Sequence, residues 1–124
     1  MLDWRQWCRG SNGFAVDGEK VEVSLGDERR HRISIHETAD TLELTGIVAH
    51  LASIDSIPDV PLRAWRRNRG MQLVGFRVDY KDRLVGEAWV PKAGLKREEF
   101  LFYLKKVAAE CNLFEYNLTG KNRE

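Results

Sequence analysis

Polar and apolar residues alternate along the first half of this chain, whereas apolar residues near its end recur every three to four positions. In EKVEVSL, Val21, Val23 and Leu25 fall on one side and Glu22 and Ser24 on the other, the pattern of a half-buried strand. Asp17-Gly18 before it is a turn signal, so residues 14–16 are a candidate stub strand folded back onto this one. After Gly26-Asp27-Glu28 the stretch RRHRISIHE resumes alternation, with Ile33 and Ile35 inward and Arg32, Ser34 and His36 outward. Ala39-Asp40 then turns the chain into TLELTGIVAHL, rich in strand-forming residues, where Gly46 is expected to mark a bulge or bend. Three successive antiparallel strands follow from this, a meander.

Helical patterns bracket and interrupt it. Asp3, followed three residues later by Gln6, predicts a short opening helix that Gly10 stops. The breaker-rich SIDSIPDVP leads to a second helix, with Pro61 in its first turn, Asp59 or Val60 at its cap and Gly70 at its end. Within LRAWRRNR, Leu62 and Trp65 are expected to face the sheet and Arg63, Arg66 and Arg67 the water. REEFLFYLKKVAAEC predicts the third and clearest helix: Phe100, Leu104, Val107, Ala108 and Cys111 share one face, Glu98 and Glu99 favour its first turn, and Lys105 and Lys106 point outward. Asn112 is expected to end it, leaving LFEYNL as a last strand or an apolar anchor.

Between these two helices lies a hairpin, MQLVGFRVDY and RLVGEAWV, turning at Lys81-Asp82. Val74, Phe76, Val78 and Tyr80 share one face of its first strand. In the second, Leu84, Ala88 and Val90 face one way and Val85 and Trp89 the other. Both faces carry apolar residues, so a strand of this kind is covered on both sides. The cover is either the opening helix, with Leu2, Trp4, Trp7 and Cys8, or another molecule; a contact surface at Val85, Glu87 and Trp89 is the second of these readings. Pro91 suits the strand's end.

The expected fold is α+β: one antiparallel sheet of about five strands in the order α-β-β-β-α-β-β-α, with helices packed mainly on one face. This order, together with VGEAWVPKAGLKREEFLFYLKKVAAEC, is similar to the bacterial YbjN-type proteins, which share the fold of the type III secretion chaperones. The residues carrying the resemblance are Glu87-Ala88-Trp89-Val90-Pro91, Gly94-Leu95 and Arg97-Glu98-Glu99-Phe100. It covers about residues 71–118 closely and the earlier part by topology alone. The resemblance implies a homodimer that binds other proteins through hydrophobic surface and has no recognised catalytic residues. Lys96 stands where a Ser or Thr cap is expected, so the last helix must be capped in another way.

Length and composition agree with one soluble domain spanning residues 1–124: 43% of the residues are apolar and 31% charged. No apolar run reaches the length of a membrane span, and charges interrupt the N-terminus where a signal peptide needs an apolar stretch, so a cytoplasmic location is expected. Cys8 and Cys111 then read as free thiols, Cys111 in the core, and the sequon at Asn117 as unused. The net charge of +1 is unevenly spread. Residues 1–61 hold six Lys/Arg against eleven Asp/Glu, a balance of −5, and residues 62–83 hold seven against two, a balance of +5.

Chemistry is sparse in the sequence. His31, His36 and His50 read as exposed sheet residues; His36 and His50 could meet across strands, but no metal-ligand spacing joins them. Gly10 and Gly13 lack the strand and lysine of a phosphate loop. No cofactor or metal is implied, and an enzyme is the least favoured reading. The basic patch Arg63, Arg66, Arg67, Arg69 and Arg77 offers a rival to the sheet surface, binding nucleic acid or an acidic partner through residues 63–83. A solvated helix face explains the same arginines more simply. The sequence therefore favours a non-catalytic, chaperone-like protein-interaction module, homodimeric, with a protein partner and no membrane.

Overall fold

Alternation became strands and the 3.6-residue pattern became helices in the computed structural model, which describes residues 3–26, 28–50, 57–70 and 73–119. Helix α1 (Trp4–Arg9) begins where the Asp3 carboxylate accepts the Gln6 N–H at 3.4 Å and ends at Gly10. Strands β1 (Phe14–Asp17), β2 (Lys20–Gly26), β3 (Arg29–Glu37) and β4 (Thr41–Ala49) follow as a meander. Then come α2 (Val60–Arg69), the hairpin β5 (Gly75–Val78) and β6 (Leu84–Pro91), and α3 (Arg97–Thr119). Among the described residues the sheet has six strands in the order β1-β2-β3-β4-β6-β5, every neighbouring pair antiparallel. The sixth strand is the stub at residues 14–16, which pairs along its whole length with β2.

All three helices share one core on one face of the sheet. Val21 and Val23, Ile33 and Ile35, Leu42 and Leu44, and Leu84, Ala88 and Val90 point into it from successive strands. Phe100, Leu104, Val107, Ala108 and Cys111 of α3 meet them, so the pattern read from the sequence is the buried face. Each fully buried side chain of this size contributes roughly 1.5–3 kcal/mol.

Gly46 is not a bulge. It stands directly opposite Gly86 in the β4–β6 ladder, and the two together make room for the sulfur of Cys111. A Cβ at Gly86 would lie 2.5 Å from Cys111 Sγ and one at Gly46 2.9 Å, both closer than side chains approach. The register shift instead falls between Ile47 and Ala49, where consecutive Val48 and Ala49 are both buried.

Helix α3 runs past Asn112 to Thr119, not into a strand. Phe114 and Leu118 continue its inner face beyond Cys111, and the Phe114 ring meets Phe76 edge-on at 4.9 Å and 82°. About two further turns of packing outweigh the weak stop signal of one asparagine, which is itself buried. The missing Ser/Thr cap is replaced by Glu99, whose carboxylate accepts the Lys96 N–H at 3.1 Å, half of a capping box.

Helix α2 is rotated from its expected orientation. Val60 and Ala64 face the core, while Leu62 is 42% and Trp65 57% exposed. The small Ala64 lets the helix approach β5 closely, and Asn68 bonds the backbone of Phe76; turning Trp65 inward would break that pairing. His31 also departs from expectation: it is buried, its Nε2 at 2.8 Å from Ile47 O, because it precedes Ile33 on the inner side of β3.

Candidate interaction surfaces

The face of the sheet away from the helices carries the first candidate surface. Val85, Glu87 and Trp89 alternate onto it from β6, opposite Ile47, Thr45 and Glu43 of β4. Val85 is buried, between Ile47 and Arg77 in the register. Glu87 is half-buried and accepts from Arg77 Nε at 2.8 Å and Arg77 Nη2 at 3.2 Å. That hydrogen bond, ahead of the neighbouring charges, raises the Arg77 pKa above its ordinary value despite some burial. Trp89 remains 61% exposed beside Glu43. Helix α1 does not cover it, because Trp4 and Trp7 pack against Phe100 on the helical side at 6.3 and 5.6 Å. Leu2 lies outside the described residues.

The five arginines of the basic patch do not form one surface. Arg77 belongs to the open sheet face with Glu87. Arg69 stacks over the exposed Trp65 ring at 5.2 Å. Arg83, from the same basic segment, pairs with Asp79 at 2.8 Å across the hairpin turn. Only Arg63, Arg66 and Arg67 converge, on a groove of about 440 Å³ between α2 and α3 that Phe114 and Asn117 complete. Arg67 is not simply water-facing: its guanidinium lies 4.6 Å over Phe114 and 5.8 Å from the Phe76 ring centre. Phe114 and Asn117 escaped the sequence reading because the helix was ended before them; their one signal was the continued apolar spacing from Cys111 to Leu118.

Helix α3 also has an apolar outer side. Phe102, Leu113 and Tyr116 are exposed, and their i, i+11, i+14 spacing sets them on one strip.

Reactive chemistry is not gathered anywhere in the described residues. Burial pushes the Cys8 thiol up to about 11, with Arg9 opposing, and the Cys111 thiol up to about 12, so both stay protonated. His36 and His50 occupy opposite ends of the β3–β4 hairpin and do not meet. No described group of three or more His, Cys, Asp or Glu could hold a metal ion, and no described helix is long and apolar enough to cross a membrane.

The fold class these features define is α+β, a six-stranded antiparallel sheet with its helices on one face. No family model matches the chain, and no curated protein matches it. Among solved structures it is similar to YbjN from E. coli, for which a role in transcription regulation has been suggested, with a TM-score of 0.62 at 15% identity over 91% of this chain and 87% of that one. It is also similar to a chain of the heterodimeric ExoU–SpcU complex from the type III secretion system of Pseudomonas aeruginosa. There the TM-score is 0.59 at 13% identity, over 98% of this chain and 100% of that one. The chain has a YbjN-type, chaperone-like fold, as the resemblance in its C-terminal half implied.

Proposed function

We propose that this chain is a single non-catalytic domain that binds protein in the cytoplasm and acts as a homodimer through its open sheet face, around Trp89 and the half-buried Glu87, whereas Val85, the third residue expected there, is fully buried within the chain and supports the face from beneath. The observation that carries the reading is Trp89, a large aromatic left 61% exposed on a sheet face that no described helix covers. Exposed tryptophan flanked by polar neighbours is characteristic of contact centres. The same face bears Glu43 and ion pairs within the chain, Arg30 and Arg32 with Glu22 and Arg77 with Glu87, so a twofold contact would set the exposed Trp89 among charges of both signs. Strand spacing and rise make the face roughly 25 Å by 25 Å. That is close to the area each partner gives to a standard interface.

Light scattering at micromolar concentration tests the dimer. The expected result is a dimeric mass that Trp89→Ala lowers to the monomer; a monomer whose mass Trp89→Ala does not change removes the proposal. The rival reading, nucleic acid along residues 63–83, is weakened by the divergence of those side chains to three different parts of the surface, since phosphate binding rests on several cations along one track.

A further inference from the structure

We infer that the groove between α2 and α3 is an anion-recognition site that takes the carboxylate side chains of an acidic partner segment. Arg63, Arg66 and Arg67 stand at i, i+3 and i+4, on one side of α2, and their groove has an aromatic floor in Phe114 and an amide at its rim in Asn117. Arg67 is set in place before any ligand arrives, its guanidinium carbon 4.6 Å over the Phe114 ring centre. A fixed planar fork of donors loses little conformational freedom when a carboxylate binds it.

The cations are poorly satisfied by the chain itself. Arg67 Nε is buried without a hydrogen-bond partner. Arg67 meets the Glu110 carboxylate only at 4.0 Å, and Lys106 shares it at 3.5 Å. Arg63 and Arg66 have no hydrogen bond or ion pair among the described residues. Three guanidinium groups within about one helical turn repel one another, and an incoming anion relieves that repulsion.

Polypeptide carboxylates fit this groove better than a phosphate backbone. The other arginines of the segment are engaged elsewhere, so no basic track leads in or out. Glu110 beside Arg67 disfavours a densely charged phosphate more than a single carboxylate. One turn before Asn117 on α3, Leu113 is exposed and offers an apolar contact to a peptide's aliphatic side chains. The occupant is thus a segment with acidic residues on one side and aliphatic ones beside them.

Fluorescence anisotropy with three labelled probes tests this. They are a synthetic Glu/Leu amphipathic peptide of about five helical turns, the same peptide with every Glu replaced by Gln, and an oligo-dT of matching length. The Glu peptide is expected to bind, and to weaken between about 50 and about 300 mM salt. The Gln peptide and the Arg63→Ala/Arg66→Ala protein should each bind about tenfold or more weakly, with Lys81→Ala, which removes an exposed charge elsewhere in the same basic segment, within about twofold of the parent. Absence of Glu-peptide binding at low salt overturns the inference, as does equal binding by the double variant. Tighter binding of the oligo-dT, lost in that variant, overturns it in favour of phosphate. Should the double variant melt early, the exposed single change Arg66→Glu replaces it with the same expected loss.

Discussion

The Asn68 side chain donates to Phe76 O at 2.8 Å and accepts from the Phe76 N–H at 2.7 Å, so one residue of α2 takes the place of a neighbouring strand along the outer edge of β5. An open edge invites pairing with other chains, and this amide occupies the Phe76 position of one of the two edge strands. Asn68→Ala is expected to leave both backbone groups of Phe76 unsatisfied at a cost of about 1–3 kcal/mol. Urea unfolding should show a lower midpoint with an unchanged slope. Asn68→Asp retains the acceptor alone and should fall between the two.

Cys111 occupies the space left by two glycines. Gly86→Ala is therefore expected to destabilise by about 1–3 kcal/mol through overpacking. Adding Cys111→Ala should recover part of that loss, because the closest contact disappears, while Phe76 still crowds the new methyl. A double-mutant cycle on thermal unfolding checks it; strict additivity would contradict the geometry.

Asp79 organises the β5–β6 turn: its Oδ1 accepts the Lys81 and Arg83 N–H groups, each at 2.9 Å, and its Oδ2 accepts from the Arg83 side chain. Burial alone would raise its pKa, but these bonds and the Arg83 charge outweigh burial and hold it below the ordinary value. A carboxyl lowered in the folded state stabilises it above the unfolded pKa, and the contribution is lost as pH falls through the folded one. Stability should therefore drop below about pH 4. Asp79→Asn should lower stability at neutral pH by about 1–3 kcal/mol and flatten this acid dependence. Denaturation midpoints across acidic pH measure both.

The two thiols should be inert in the folded protein. With Cys8 and Cys111 buried and protonated, labelling by a thiol-specific disulfide reagent near pH 8 should be far slower than in denaturant. Fast native labelling of either would contradict the packing.

Much of the fold was legible in local patterning. Alternation at Val21/Val23 and Ile33/Ile35, the spacing from Phe100 to Cys111, and turn glycines such as Gly18 at φ 64° carry their structural meaning within a few residues. What misled were positions whose neighbours come from far along the chain. Trp65 was expected inward from its helical spacing with Leu62, yet the Asn68–Phe76 pairing sets the rotation of α2. Asn112 was read as a stop because Phe114's partner, Phe76, lies in a different element.

The candidate surfaces divide in the same way. Trp89 was recognisable because period two alone assigns it to the face opposite Leu84 and Val90, and a twisted pleat cannot move it back. The groove at Arg63, Arg66 and Arg67 could not be separated from Arg69 and Arg77 by charge pattern. All five lie within a short basic stretch, and only the packing of α2 between β5 and the far end of α3 distributes them. In the regular stretches of the strands and in the last helix, backbone periodicity thus determined which residues share a side. Which elements then meet, and so which charges gather, was decided by long-range contacts such as Cys111 over Gly46 and Gly86, because side-chain packing depends on shape and volume across the whole core.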